Sequence, residues 1–280
     1  MSSIKDRQQR AAARARLERE MAERAAGAKK RRQTLTIVGS GLALLLVVAG
    51  SVWLVSTLGS DDDGEGTQTV ASKPGETPCV WNPDSSGGQN PMIKDVGTPP
   101  PSVPNVGTRV MTIDTNLGPI TTTLDLSKVP CAGASFEFLA SKNFFDGSKC
   151  HRLVTENIHV LQCGDPSARG AGYRDTDGTG GPSYRYAEEN LPRTAPEGQA
   201  YPKGSIAMAK TDQLSSTGSQ FFINYEASPL PPQYTLLGTI SSGLDIVEKV
   251  AKAGHLPGAQ QGDGKPKQEL IINKLTVAAG

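Results

Sequence analysis

The chain has 280 residues, 20% of them charged and 36% hydrophobic, with a net charge of +1. That balance excludes a chain that is basic throughout; the excess charge is concentrated at one end. Residues 1–33 carry eleven Lys or Arg against four Asp or Glu, about +7, which leaves residues 34–280 at about −6.

The first element is this basic arm, residues 1–33. Its stretch from Asp6 to Arg32 is rich in Ala, Arg and Glu and reads as a helix, with pairs such as Glu20–Arg24 at i,i+4. The charge would suit nucleic acid, yet the arm has no aromatic residue to stack on bases, so no nucleic-acid partner is expected. Two readings of the charges stay open: they orient insertion into a membrane, or they also grip anionic headgroups at ~1 kcal/mol per basic residue.

Residues 34–59 are expected to cross a membrane. From Gln33 to Ser60 there is no charged residue, and Leu35 to Leu58 is dominated by Leu, Val, Ile, Ala and Gly. Those positions span roughly 36 Å as a helix, enough for a hydrocarbon core of ~30 Å. Lys29-Lys30-Arg31-Arg32 abuts one side and Asp61-Asp62-Asp63 the other, which places the N-terminus in the cytoplasm and the C-terminal part outside. The apolar stretch is too long for a cleaved signal peptide, so a single-pass signal-anchor in the cell membrane is expected.

Residues 60–107 are rich in Pro, Gly, Ser, Thr and Asn, with Pro99-Pro100-Pro101 and Pro104 near the end, and read as an extended extracytoplasmic spacer. Cys79 and Trp81 are its discordant residues.

Residues 108–280 form the globular part, large enough for one core. Val110 to Asn116 and Ile120 to Leu126 read as a hairpin, and a helix starts near Pro130 with Phe136, Leu139 and Ala140 on one face. Strands follow around 150–155, 159–163, 205–209, 220–224 and 235–240, then a helix from Leu244 to Ala253 and a last strand from Leu270 to Val277. Eight strands and two helices predict a mainly β domain, a closed eight-stranded antiparallel barrel. No GxxxxGK[ST] pattern accompanies the Gly-rich stretch after Asp165, which argues against nucleotide binding.

All four cysteines (Cys79, Cys131, Cys150, Cys163) lie beyond the span, where disulfides are expected; four cysteines allow three connectivities. Cys150, His151, His159 and Cys163 are zinc-type ligands within 14 residues. Adjacent residues on a strand face opposite ways, however, so no metal is expected there. No cofactor is expected either.

Four segments carry the chemistry: Cys150-His151-Arg152-Leu153, Gln162-Cys163-Gly164-Asp165, Gly204-Ser205-Ile206-Ala207-Met208-Ala209, and Thr217-Gly218-Ser219-Gln220-Phe221-Phe222-Ile223-Asn224. In this order, over about Val110 to Val277, they resemble the cyclophilin family of peptidyl-prolyl cis-trans isomerases. The resemblance implies the same barrel with a helix capping each open end. It also implies roles. Arg152 matches the catalytic Arg, Gln162 and Gln220 the amides that orient it, Phe222 the aromatic floor of a proline pocket and Leu230 an apolar wall. Met208, Ala209, Lys210 and Thr211 match the strip beside the substrate backbone, and Gly178-Thr179-Gly180-Gly181 the loop beside the groove. Cross-strand pairing as in the family would join Cys150 to Cys163, leaving Cys79 for Cys131 and stapling the spacer to the barrel.

Departures from the pattern are visible too. Lys210 and Thr211 stand in a strip that usually reads Ala-Asn-Ala. The stretch from Ala168 to Asp177 is longer than in compact members. The link from Arg152 to Gln162 is about two residues longer as well, which puts His159 and Val160 where Phe and Met are usual in the pocket. Tyr234 falls where His is common, and no aromatic stands around Ala227-Ser228-Pro229. A shallower, more polar pocket is expected. Together with the expected span, the resemblance points to a membrane-anchored isomerase acting on proline-containing unfolded or nascent exported polypeptides, and a monomer is expected. The alternative is a tethered proline-binding or chaperone module of the same fold with little turnover.

Overall fold

The alternation of apolar and small polar residues in Thr108–Thr115 and Gly118–Asp125 produces two strands that bury Met111, Ile113 and Thr115 against Ile120, Thr122 and Leu124. The structure, a computed structural model, describes residues 73–86, 88–258 and 260–280. The expected basic arm, the expected span and residues 60–72 lie outside the described residues.

Sixteen strands and two helices occur among the described residues. Four short strands come first: β1 (Glu76–Pro78), β2 (Asn82–Pro83), β3 (Ile93–Lys94) and β4 (Ser102–Pro104). The hairpin strands are β5 (Thr108–Thr115) and β6 (Gly118–Asp125), followed by α1 (Pro130–Ser141). Then come β7 (Ser148–Lys149), β8 (Arg152–Val154), β9 (Val160–Cys163), β10 (Gly181–Pro182), β11 (Tyr184–Arg185), β12 (Ser205–Met208), β13 (Phe221–Asn224) and β14 (Leu236–Ser242). The chain ends with α2 (Leu244–Ala253), β15 (Asp263–Gly264) and β16 (Ile271–Ala279).

Ten of these strands form one antiparallel sheet in the order β15-β8-β9-β13-β12-β14-β6-β5-β16-β7. The sheet curls strongly. Its strands β7 and β8 stand far apart in that order yet are halves of one segment, where the Cys150 N–H donates to Leu270 and the His151 N–H to Gln162 (2.9 Å each). The main sheet has ten strands where eight are expected, because β15 adds one and the segment 148–154 counts twice.

The concave face is filled by Met111, Leu124, Phe136, Phe145, Leu161, Ile206, Phe221 and Leu275, all buried. Helix α1 contributes Ala132, Phe136 and Leu139, with the Phe136 ring stacked on Phe145 at 5.5 Å. No side chain of its own caps α1. Instead the Glu189 carboxylate accepts from the Cys131 and Ala132 N–H groups at 3.3 and 2.6 Å, satisfying donors of the first turn. Burial nevertheless pushes Glu189 up to about 7.

The spacer expected over 60–107 is, in its described part, folded onto the domain. β1 pairs with β4, β2 with β11 and β3 in parallel with β10. Cys79 is joined to Cys131 at the start of α1, and Cys150 to Cys163. This is the connectivity the resemblance implied. Trp81 packs edge-on against Tyr184 and Tyr186, at 5.3 and 5.4 Å, and its indole N–H donates to Pro100. Composition alone suggests a wet linker; the disulfide, the Trp81 ring and the pairings with β10 and β11 hold this Pro-rich segment on the domain.

Candidate active site

Register places the candidate residues. Arg152 lies opposite Gln162, Gln162 opposite Phe222, and Phe222 opposite Ala207, so one row crosses β8, β9, β13 and β12 on a single face of the sheet. The Gln162 amide donates to Gln220 Oε1 (2.9 Å), and the Gln220 amide donates to the carbonyls of Gly178 and Gly180 (2.8 and 2.9 Å). Arg152 Nη1 donates to Gln162 Oε1 at 3.3 Å. Its Nε and Nη2 grip the Asp263 carboxylate at 2.6 to 3.0 Å.

Beside this row lies a cavity of about 180 Å³ with Arg152 and Gln162 at its polar side and Ile158, Val160, Phe222, Leu230 and Tyr234 at its apolar side. Phe222 is held by two neighbouring rings, Tyr234 at 5.4 Å and Tyr201 at 6.2 Å. The Tyr201 hydroxyl donates to the Tyr234 carbonyl and accepts from its N–H, at 2.8 and 2.9 Å. Burial pushes the Tyr201 hydroxyl up to about 12, so it stays a neutral donor. Ala209 and Lys210 line the same cavity. A second, polar cavity of about 280 Å³ adjoins it along the Gly178–Gly181 loop, lined also by Thr211 and Gln220. Lys210 does not present a free charge: its ammonium donates to the carbonyls of Thr211 and Gln213 and lies 3.8 Å from Glu188.

Two candidates fall elsewhere. His159 does not enter the apolar cavity; its ring packs on Tyr225 at 5.7 Å and lies 3.8 Å from Glu226. Ile158 takes that place, because residues 158, 160 and 162 share one face of an extended segment while 159 points away. The pocket is therefore more apolar than expected. Met208 is fully buried in the core with Ile206, whereas Ala207 packs with Phe222 on the groove side and Ala209 lines the cavity. The same two-residue period excludes Met208 from contact with a ligand.

The Gly-rich loop is organised by Asp165, whose carboxylate accepts from the N–H groups of Ser167, Gly178 and Gly180 at 2.7, 2.6 and 3.2 Å. Asp165 closes the quoted Gln162–Asp165 segment without a role read from it, and nothing in the sequence pattern marks Tyr201. His151 lies beneath the loop, 2% exposed, and neither ring nitrogen has a partner among the described residues. Burial pushes it down to about 4 from 6.5, so the folded domain keeps it neutral at pH 7. Between those values the unfolded chain binds a proton that the folded chain rejects. The contribution of His151 to stability is therefore full above pH 6.5 and is lost as pH falls toward 4, by about 3 kcal/mol. Urea unfolding at pH 7 and pH 4.5 should show a smaller decline for His151→Gln than for the parent; parallel declines would contradict this account.

A family model described as cyclophilin type peptidyl-prolyl cis-trans isomerase/CLD matches residues 110–277. The chain is similar to the probable peptidyl-prolyl cis-trans isomerase B of Mycobacterium leprae, 37% identical over 210 residues that cover 70% of this chain and 65% of that protein. It is 43% identical over 171 residues to the protein of the same name from Mycobacterium tuberculosis, covering 58% of this chain and 52% of that one. The chain thus spans between about half and two-thirds of the length of these curated relatives. A solved Cryptosporidium parvum cyclophilin type isomerase superposes with a TM-score of 0.49 at 24% identity, covering 61% of this chain and 99% of that one. With that model running from the first hairpin to the last strand, the chain belongs to the cyclophilin-type peptidyl-prolyl cis-trans isomerase family.

Proposed function

We propose that this chain accelerates rotation about X–Pro bonds in exported polypeptides as they fold. The observation that carries the reading is the cross-strand row that sets the Arg152 guanidinium and the Gln162 amide, itself bonded to Gln220, at the rim of an apolar cavity. Unaided isomerisation takes tens to hundreds of seconds behind a barrier of ~18–20 kcal/mol, the amide resonance lost on twisting. No nucleophile or proton transfer is needed. The catalyst holds the proline ring against Phe222, Val160 and Leu230 and leaves the preceding carbonyl free to swing. It then favours the twisted state, in which the prolyl nitrogen regains a lone pair that Arg152 can receive. Turnover at ~10–100 per second requires lowering the barrier by about 4–6 kcal/mol, within reach of an oriented cationic donor in a partly dry groove.

The test is exchange spectroscopy of a proline tetrapeptide with the full chain, without a coupled protease. Cis–trans exchange should rise in proportion to protein; no rise would refute the activity. The reading of a binder with little turnover rests on His159, Val160 and the lack of an aromatic near Pro229; Ile158 in place of His159 removes the first of these grounds, while Val160 does line the cavity. Ile158→Ala should raise KM about fivefold by removing part of an apolar wall, whereas His159→Ala should leave it unchanged. The reverse pattern would show that the pocket is lined differently.

The same reading places residues 34–59 across the cell membrane, with the N-terminus cytoplasmic and the domain outside. The uncharged run, its basic flank and the two disulfides of the described domain support it. It also takes the curled sheet as a closed barrel of eight strands, one of them running through 148–154. Protease added to sealed, right-side-out cells stripped of their wall should remove the C-terminal domain; full protection would overturn the orientation.

A further inference from the structure

The Arg152 guanidinium has five N–H groups, and three are committed. Nε and Nη2 form a side-on fork with Asp263 at 2.6 to 3.0 Å, while Nη1 donates to Gln162. Among the described residues the other two N–H groups have no partner, which leaves them for a ligand. We infer that Asp263 is the positioning residue that fixes Arg152 for its work on the twisted bond. This rests on the reading of Arg152 as the catalytic cation.

Asp263 reaches the site by a specific path. It lies on β15, opposite Val154, so on the shared face it stands diagonally across from Arg152, two residues away along β8. The chain bends tightly to bring it there. Gly262 has a φ of +72°, and a Cβ on it would stand 2.5 Å from the Glu156 side chain. A Cβ on Gly264 would stand 2.1 Å from the Leu256 carbonyl oxygen. These two positions admit no other residue without movement of the backbone. The Gly262 carbonyl is held by the Thr155 N–H at 2.7 Å, which ties the bend to the strand carrying Arg152.

A carboxylate on a catalytic cation has two opposed effects. It damps the positive charge, and it fixes a long side chain that would otherwise sample many rotamers. Side-chain exposure is 43% for Arg152 and 19% for Asp263, so solvent screens the damping and the pair adds little to folding stability. The fork, by contrast, fixes the plane of the guanidinium from one strand while Gln162 fixes its edge from another. Orientation therefore dominates, and the fork is an arm of the catalytic arrangement rather than of the core.

The experiment uses the full chain carrying Asp263→Asn or Asp263→Ala, each alone and combined with Arg152→Ala. Exchange spectroscopy on a proline tetrapeptide gives kcat and KM separately, and the Arg152 Nε–H resonance reports the fork. In both single variants kcat should fall about tenfold or more, with KM within about twofold. The Nε–H resonance should shift and exchange faster with water, and the melting temperature should stay that of the parent. In the Arg152→Ala background the same changes at 263 should add nothing. An unchanged or higher kcat in Asp263→Asn, while Arg152→Ala loses activity, would overturn this proposal alone. An equal loss on the Arg152→Ala background would do the same, since Asp263 would then act through the fold. Full activity in Arg152→Ala would overturn the catalytic reading and this proposal with it.

Discussion

Arg152→Ala is expected to lower kcat/KM for a proline tetrapeptide about 100- to 1000-fold, the range seen when one preorganised donor is removed from a transition state. The melting temperature should move by no more than a few degrees. The side chain is 43% exposed and its ion pair with Asp263 is open to solvent, so the pair contributes about 0–1 kcal/mol to folding. The unpaired Asp263 left behind is still reached by water. Exchange spectroscopy and a thermal melt on the same sample separate the two effects. Parent-like turnover would remove Arg152 from the mechanism, and a collapse of the melt would show that it serves the fold.

The second large effect concerns the folded segment ahead of β5. Cys79 and Cys131 are 52 residues apart in sequence. Closing a loop of that size restricts the unfolded chain by about 4 kcal/mol in the chain-entropy account. Cys79→Ser with Cys131→Ser should therefore lower the melting temperature by roughly 8–16 °C. Deleting residues 73–107 should do more. It strips Trp81 from Tyr184 and Tyr186 and Asp84 from Arg185, an ion pair of 2.6 Å. It also frees the Thr179 carbonyl, which accepts from the Asn90 amide at 2.8 Å in the loop beside Gln220. We expect this truncation to lose turnover as well as stability, whereas the cysteine variant assayed well below its melt should keep most of its turnover. Truncated protein with parent-like melting and rate would show the segment to be ornamental.

What could be read from the residues, and what could not, divides along range in sequence. The hairpin of β5 and β6, both helices and the strands β9, β12, β13, β14 and β16 come from local alternation, Pro130 at a helix start and apolar periodicity. Arg152, Gln162, Gln220 and Phe222 are legible because short motifs surround them. Ile158 is legible as well: it shares a two-residue period with Val160 and Gln162, whereas position along the motif points to His159, on the opposite face. Met208 was misplaced for the same reason. Asp263 and Tyr201 carried no such signal. Each acts on a partner more than 20 residues away, and an Asp-Gly dipeptide reads only as a turn. The strands β1 to β4 were hidden by composition, since Pro-rich stretches look unfolded until a disulfide and a ring anchor them.

The position of the Cys79–Cys131 bond also determines how the domain carries mechanical load. Tension applied to the chain on the N-terminal side of residue 79 must first open the short pairing of β1 with β4 and then meets a covalent bond into the first turn of α1. From there the load passes into a helix packed on the main sheet. The segment between Cys79 and β5, which holds the groove loop through Asn90 and β11 through the Asp84–Arg185 ion pair, lies off that line of force. Pulling on the domain by its N-terminal side should therefore strain the helix–sheet interface while leaving the groove loop slack.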